Sequence, residues 1–70
     1  MKCYLETRLP VNGNKHYGCV VTEQDYHECG PHACTHKTAE FGTKHEALAA
    51  AREWAEENGY DIYSVDEIAA

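Results

Sequence analysis

Residues 2 to 11, KCYLETRLPV, alternate with a period of two. Cys3, Leu5, Thr7, Leu9 and Val11 fall on one side, and Lys2, Tyr4, Glu6 and Arg8 on the other, which is the pattern of a half-buried strand. Asn12-Gly13-Asn14 follows, a stretch that tolerates positive φ, and leads into KHYGCVV, where Tyr17, Cys19 and Val21 share a face. The two runs predict a hairpin. A two-residue Asn12-Gly13 loop would pair Leu9 with His16, whereas a three-residue loop would pair Leu9 with Tyr17 and Leu5 with Val21. The second register keeps one face apolar, so it is the expected one, with Asn14 in the left-handed position.

Residues 33 to 41, ACTHKTAEF, predict a third strand returning along the second, with Gly30-Pro31 at the turn, Asp25 opposite Lys37 and Val21 opposite Phe41. An irregular loop from Gln24 to Thr38 is the alternative. TKHE at 43 to 46 has the form of a capping box and opens a helix through ALAAAREWAEE, which Asn58-Gly59 stops. At 100° per residue Ala47, Leu48, Ala51, Trp54, Ala55 and Asn58 form one stripe that should pack on the sheet, with Trp54 supplying most of the buried area. YDIYSVDEI reads as a last strand with Ile62 in the core; Tyr63 and Val65 point the other way and suit a central strand or contact with a second copy. The expected fold is therefore α+β: a single domain over residues 1–70, with a three- to four-stranded antiparallel sheet and one helix packed on one face, in the order βββαβ. The other face is expected to stay open and to carry Tyr4, Arg8, Val20, Tyr26 and His36.

A chain of 70 residues supports one modest core, worth about 3–5 kcal/mol unless a cross-link, a metal or a partner adds to it. No stretch approaches the roughly 18 apolar residues of a membrane span, and MKCYLETRLP lacks the apolar run of a signal peptide, so a cytoplasmic protein is expected. In that compartment the four cysteines should be free thiols. The net charge of −6 is uneven: residues 1–38 hold four basic and four acidic side chains, residues 39–70 two basic and eight acidic. Such a surface repels phosphate backbones, which excludes direct nucleic-acid binding and favours a protein partner with a basic surface.

Three histidines and two cysteines crowd into HECGPHACTH, residues 27–36. The paired spacing of a zinc site, C-x₂-C with H-x₃₋₅-H, is absent. In an extended segment His32, Cys34 and His36 would spread over about 13 Å, too far for one ion. A curled loop could instead bring Cys29, His32, Cys34 and His36 together as a four-ligand zinc site, and a Cys29–Cys34 disulfide fits a tight hairpin. Catalysis by a Cys29 or Cys34 thiolate would need a nearby base and oxyanion donors, and a hairpin tip offers no deep pocket for them. The leading expectation is that this cluster is an exposed polar hairpin, without a cofactor and without enzymatic activity. Protonation of all five histidines would move the charge from −6 to −1 near pH ~6.5, so a pH-sensitive interaction is a further option.

The lysine-aromatic start at Met1–Leu5, the hairpin, and FGTKHEALAAAREWA at residues 41–55 resemble the N-terminal half of HicB-type antitoxins. The acidic-apolar-proline-glycine segment usual before that family's helix is missing, as is a C-terminal DNA-binding extension. The resemblance implies a small inhibitor-like binding domain. Together with the charge distribution, it leads to the expectation of a non-enzymatic inhibitor or regulator. It would present Glu46, Glu53, Glu56, Glu57, Asp61, Asp66 and Glu67 to a basic partner, such as a nucleic-acid-binding surface it occludes, in the manner of phage anti-defence proteins or antitoxins. A metal-stabilised module is the alternative, and a homodimer is compatible with either.

Overall fold

A computed structural model describes residues Met1–Ala70. The chain runs β1 (Lys2–Arg8), β2 (His16–Thr22), α1 (Glu23–Cys29), a 3-10 turn (Gly30–His32), β3 (His36–Phe41), α2 (Lys44–Glu57), β4 (Asp61–Ile62) and α3 (Val65–Ala69). The expected α+β class holds. One four-stranded sheet has the order β3-β2-β1-β4, with α2 packed on one face. It is a mixed sheet: β1 to β3 are antiparallel neighbours, and β4 joins β1 in parallel.

The hairpin register differs from the expected one. Leu5 pairs with Val20 and Arg8 with Tyr17, the pairing that a two-residue loop would give. Asn12, not Asn14, takes the left-handed conformation at φ 64°, inside a turn closed by the Gly13 amide on the Pro10 carbonyl at 3.0 Å. A shift of one residue exchanges faces along a strand. Cys3, Leu5 and Val20 therefore point to α2, whereas Tyr4, Tyr17, Cys19 and Val21 point to the opposite side.

That opposite side is covered, contrary to the open face expected. Thr22 ends β2 and caps α1, its hydroxyl accepting from the Asp25 amide at 3.3 Å, so residues 23–29 are helical instead of continuing toward a third strand. Tyr26 on α1 meets Tyr4 edge-on at 6.0 Å between ring centres. The end of the chain completes the layer. Ser64 and Glu67 form a full capping box, and α3 buries Ile68 beside Tyr4, Cys19, Val21 and Ala33. The predicted last strand is thus only two residues long, and Ile68 joins Ile62 as a core contributor.

α2 begins and ends as predicted. Thr43 caps it by accepting from the Glu46 amide at 3.2 Å, and Asn58 closes it. Its buried residues are Ala47, Ala51 and Ala55; Trp54 is half-buried, lying flat on His36 at 4.1 Å with an interplanar angle of 2°. The alanines permit close approach to β2 at Gly18. A Cβ on Gly18 would lie 2.9 Å from Ala51 Cβ and closer still to the Ala47 carbonyl oxygen. β3 begins later than predicted, at His36, and pairs in a different register, with Val20 opposite His36 and His16 opposite Phe41.

Gly18→Ala should therefore cost about 2–3 kcal/mol, as overpacking against helix backbone does. Gly42→Ala, where nothing lies within 4 Å of the added carbon, should stay within about 0.5 kcal/mol of wild type. Urea unfolding of the two variants checks this, and equal midpoints would contradict the packing described.

Candidate functional site

Two groups of residues stood out in the sequence, and the structure treats them differently. The 27–36 segment is tied down at several points to the face of the sheet that α2 leaves bare. The Arg8 guanidinium, paired with Glu6, donates to the carbonyls of Pro31 (3.2 Å), His32 (3.4 Å) and Ala33 (2.7 Å). Thr35 donates its amide to Val20 at 2.8 Å; its hydroxyl accepts from the Thr22 amide at 3.0 Å and donates to the Asp25 carboxylate. Cys34 is bonded to Cys19 of β2, with the Cα atoms 5.6 Å apart.

These contacts correct three expectations. The disulfide joins Cys19 to Cys34, so neither the all-thiol state nor a Cys29–Cys34 bridge is what the fold contains. The four candidate zinc ligands do not converge: Cys34 is covalently engaged, Cys29 is an exposed thiol at the end of α1, His32 sits in the 3-10 turn, and His36 stacks on Trp54 on the α2 face. No three His, Cys, Asp or Glu side chains are grouped so as to hold a metal ion. The segment is not a free hairpin either, because Arg8, Thr35 and the disulfide fix it. Of the two remaining thiols, Cys3 is fully buried; burial raises its pKa, the nearby N-terminal amine opposes this, and Asp61 adds to it, so the thiol stays protonated.

The seven acidic candidates divide between layers rather than forming one flank. Glu46, Glu53, Glu56 and Glu57 belong to α2, Asp61 lies on the edge strand β4, and Asp66 and Glu67 are on α3, across the sheet from α2. Glu46 and Glu67 have structural partners. The Thr43 hydroxyl donates to Glu46 at 2.9 Å, and Glu67 accepts from the Ser64 amide (3.1 Å) and hydroxyl (2.9 Å), which lowers its pKa.

Glu53, Glu56 and Glu57 are different. All three are exposed, and none is in an ion pair, since Glu6–Arg8 is the chain's only one. Together with His45, Leu48, Ala49 and Arg52 they border a shallow, open hollow along the outer side of α2. Glu56 and Glu57 also occupy the helix's last turn, which contains no basic residue. There the helix dipole is negative at its end, and each carboxylate costs about 0.3–1 kcal/mol at low salt. That placement is the signal that composition alone could not supply.

No family model, curated protein or solved structure matches the chain. No helix is long and apolar enough to cross a membrane.

The Cys19–Cys34 bond closes a loop with a sequence separation of 15, for which chain entropy gives about 3 kcal/mol. Reduction, or a Cys34→Ser substitution, should lower unfolding stability by about 2–4 kcal/mol. Without reductant, Cys29 alone should react with an alkylating agent in the folded protein, as read by mass spectrometry. Two further alkylations under those conditions would show the bond to be absent.

Proposed function

We propose that this protein is a non-enzymatic binding domain that inhibits or regulates a partner protein, docking the C-terminal half of α2 against a basic surface. The observation that carries this reading is the placement of Glu53, Glu56 and Glu57. All three are exposed and lack internal ion pairs, and Glu56 and Glu57 lie in the last turn of the helix, where its dipole disfavours them. A local rule broken without a structural return is a mark of function. The helix holding them is fixed by three buried alanines and by the Trp54–His36 stack, so the carboxylates are presented on a rigid element.

Basic surfaces that bind nucleic acid fit this face, and occluding one would make the domain a partial mimic of phosphate charge. An antitoxin or phage anti-defence role belongs to this reading, supported by the charge of the second half and by the HicB-like FGTKHEALAAAREWA stretch. The three carboxylates replace the larger set of seven as the proposed contact, because Glu46 and Glu67 serve as caps and α3 lies on the other layer.

The Glu53→Lys, Glu56→Lys, Glu57→Lys triple variant separates binding from folding. It should abolish retention of the partner captured by wild-type protein from its native host. Its melting temperature should be equal or higher, because cations at a helix C-terminus are favoured. Wild-type binding should also weaken steeply with added salt. Undiminished capture by the triple variant sinks the reading.

A further inference from the structure

Residues 23–35 are attached to the sheet by little apolar contact. α1 and the 3-10 turn bury no residue, and Ala33 is the one buried side chain of the segment; Tyr26 adds a part-buried ring against Tyr4. The rest of the attachment is polar or covalent: the Arg8 fork on the carbonyls of residues 31–33, the amide and hydroxyl of Thr35, and the Cys19–Cys34 bond. Both ends of the segment are firm. Thr22 is buried at the end of β2, while His36 pairs with Val20 and stacks on Trp54. A stretch with few buried contacts between two fixed points opens by itself, without the remainder of the fold.

The two sulfurs of the bond differ in access. Cys19 is inaccessible to water, whereas Cys34 is exposed. A thiolate attacks a disulfide at a sulfur it can touch, and the other sulfur leaves. We infer that the Cys19–Cys34 bond is a redox latch. A dithiol opens it at Cys34 in the folded domain; residues 23–35, hinged at Thr22 and His36, then lift from the Tyr4–Cys19–Val21 face while α2 keeps its own side of the sheet closed.

In the first step a sulfur of the dithiol bonds to Cys34 Sγ as the Cys34–Cys19 bond breaks, and Cys19 Sγ leaves with the electron pair and takes a proton from water. The second thiolate of the dithiol then displaces Cys34, so the dithiol ends as its own disulfide and both protein sulfurs end as thiols. The Arg8 and Thr35 hydrogen bonds still favour the closed position after reduction. Opening becomes a frequent excursion that uncovers an apolar face hidden in the oxidised domain. Ile68 of α3 reaches that face from the end of the chain and does not depend on the bond. The latch lies on the layer opposite α2, so it and the acidic face of that helix can each fail without the other.

The chain's four cysteines report which layer is open. Cys29 and Cys34 are exposed, Cys19 lies beneath the segment beside Ala33, and Cys3 lies beneath α2 with Val20, Ala51 and Ala55. The test is to hold wild-type protein in dithiothreitol without denaturant, pulse it with iodoacetamide, and locate the modified residues by peptide mass spectrometry, with circular dichroism alongside. Before reduction Cys29 alone should react. After it Cys34 and then Cys19 should follow, Cys19 reacting roughly tenfold or more faster than Cys3 because local opening outruns global unfolding, with the circular dichroism retained. Glutathione in place of dithiothreitol should leave its mixed disulfide on Cys34. Cys19 and Cys3 reacting together with loss of structure overturns the proposal. So does a bond that resists dithiothreitol until urea is added, a Cys19 that stays protected after Cys34 has reacted, or a mixed disulfide on Cys19.

Discussion

The whole arrangement depends on β2 being buried from both sides. Val20 faces α2, Cys19 and Val21 face the other way, and all three are inaccessible to water. A sheet covered by a single helix would leave Tyr4, Cys19 and Val21 in solvent, forfeiting about 1.5–3 kcal/mol for each large side chain. In a chain of 70 residues that would be most of the stability available. The segment between β2 and β3 and the last few residues therefore have to fold back over this face. Arg8, Thr35 and the Cys19–Cys34 bond are the means of holding them there. The conspicuous Cys/His segment is a consequence of this constraint. The Arg8 fork, which offers several donors in a fixed geometry, ties its backbone carbonyls to β1.

What could be read from the chain was what depends on local pattern over a long enough window. The capping threonine, the alanine stripe and the Asn-Gly stop locate α2 because each agrees with the others. The first two strands were legible for the same reason. Their register was not, because alternation defines two faces without saying which face of one strand meets which face of the next. Cys3 and Leu5 pair in space with Val20, whose side is opposite to the more apolar run of Tyr17, Cys19 and Val21. Once the sheet is covered twice, a strand gains nothing from a single apolar face, and the assumption behind the three-residue loop fails.

The short helices were hidden for a different reason. Residues 23–29, EQDYHEC, contain one large apolar side chain and no buried residue, so periodicity carries no signal. Its start was available in the capping geometry of Thr22 with acidic residues after it. For α3 the Ser64-x-x-Glu67 pair is a full capping-box signature, but it lies within YDIYSVDEI, which reads equally as a strand. The disulfide could not be read at all, since Cys19 and Cys34 become neighbours only through the β2–β3 register. The candidate site divides likewise: an excess of carboxylates after residue 38 was visible, but their allocation between caps, edge and free surface required the fold.

The placement of α2 along the sheet decides where its charge falls. Ala47 and Ala51 of α2 sit over Gly18, the partner of Thr7, whereas Ala55 packs near Cys3 and Ile62. The C-terminal end of α2, with Glu56 and Glu57, is thus beside the β4 end of the sheet, where Asp61 also lies. The close helix–strand contact at Gly18 is at the other end, toward the hairpin. One helix therefore keeps its tightest packing and its uncompensated carboxylates apart.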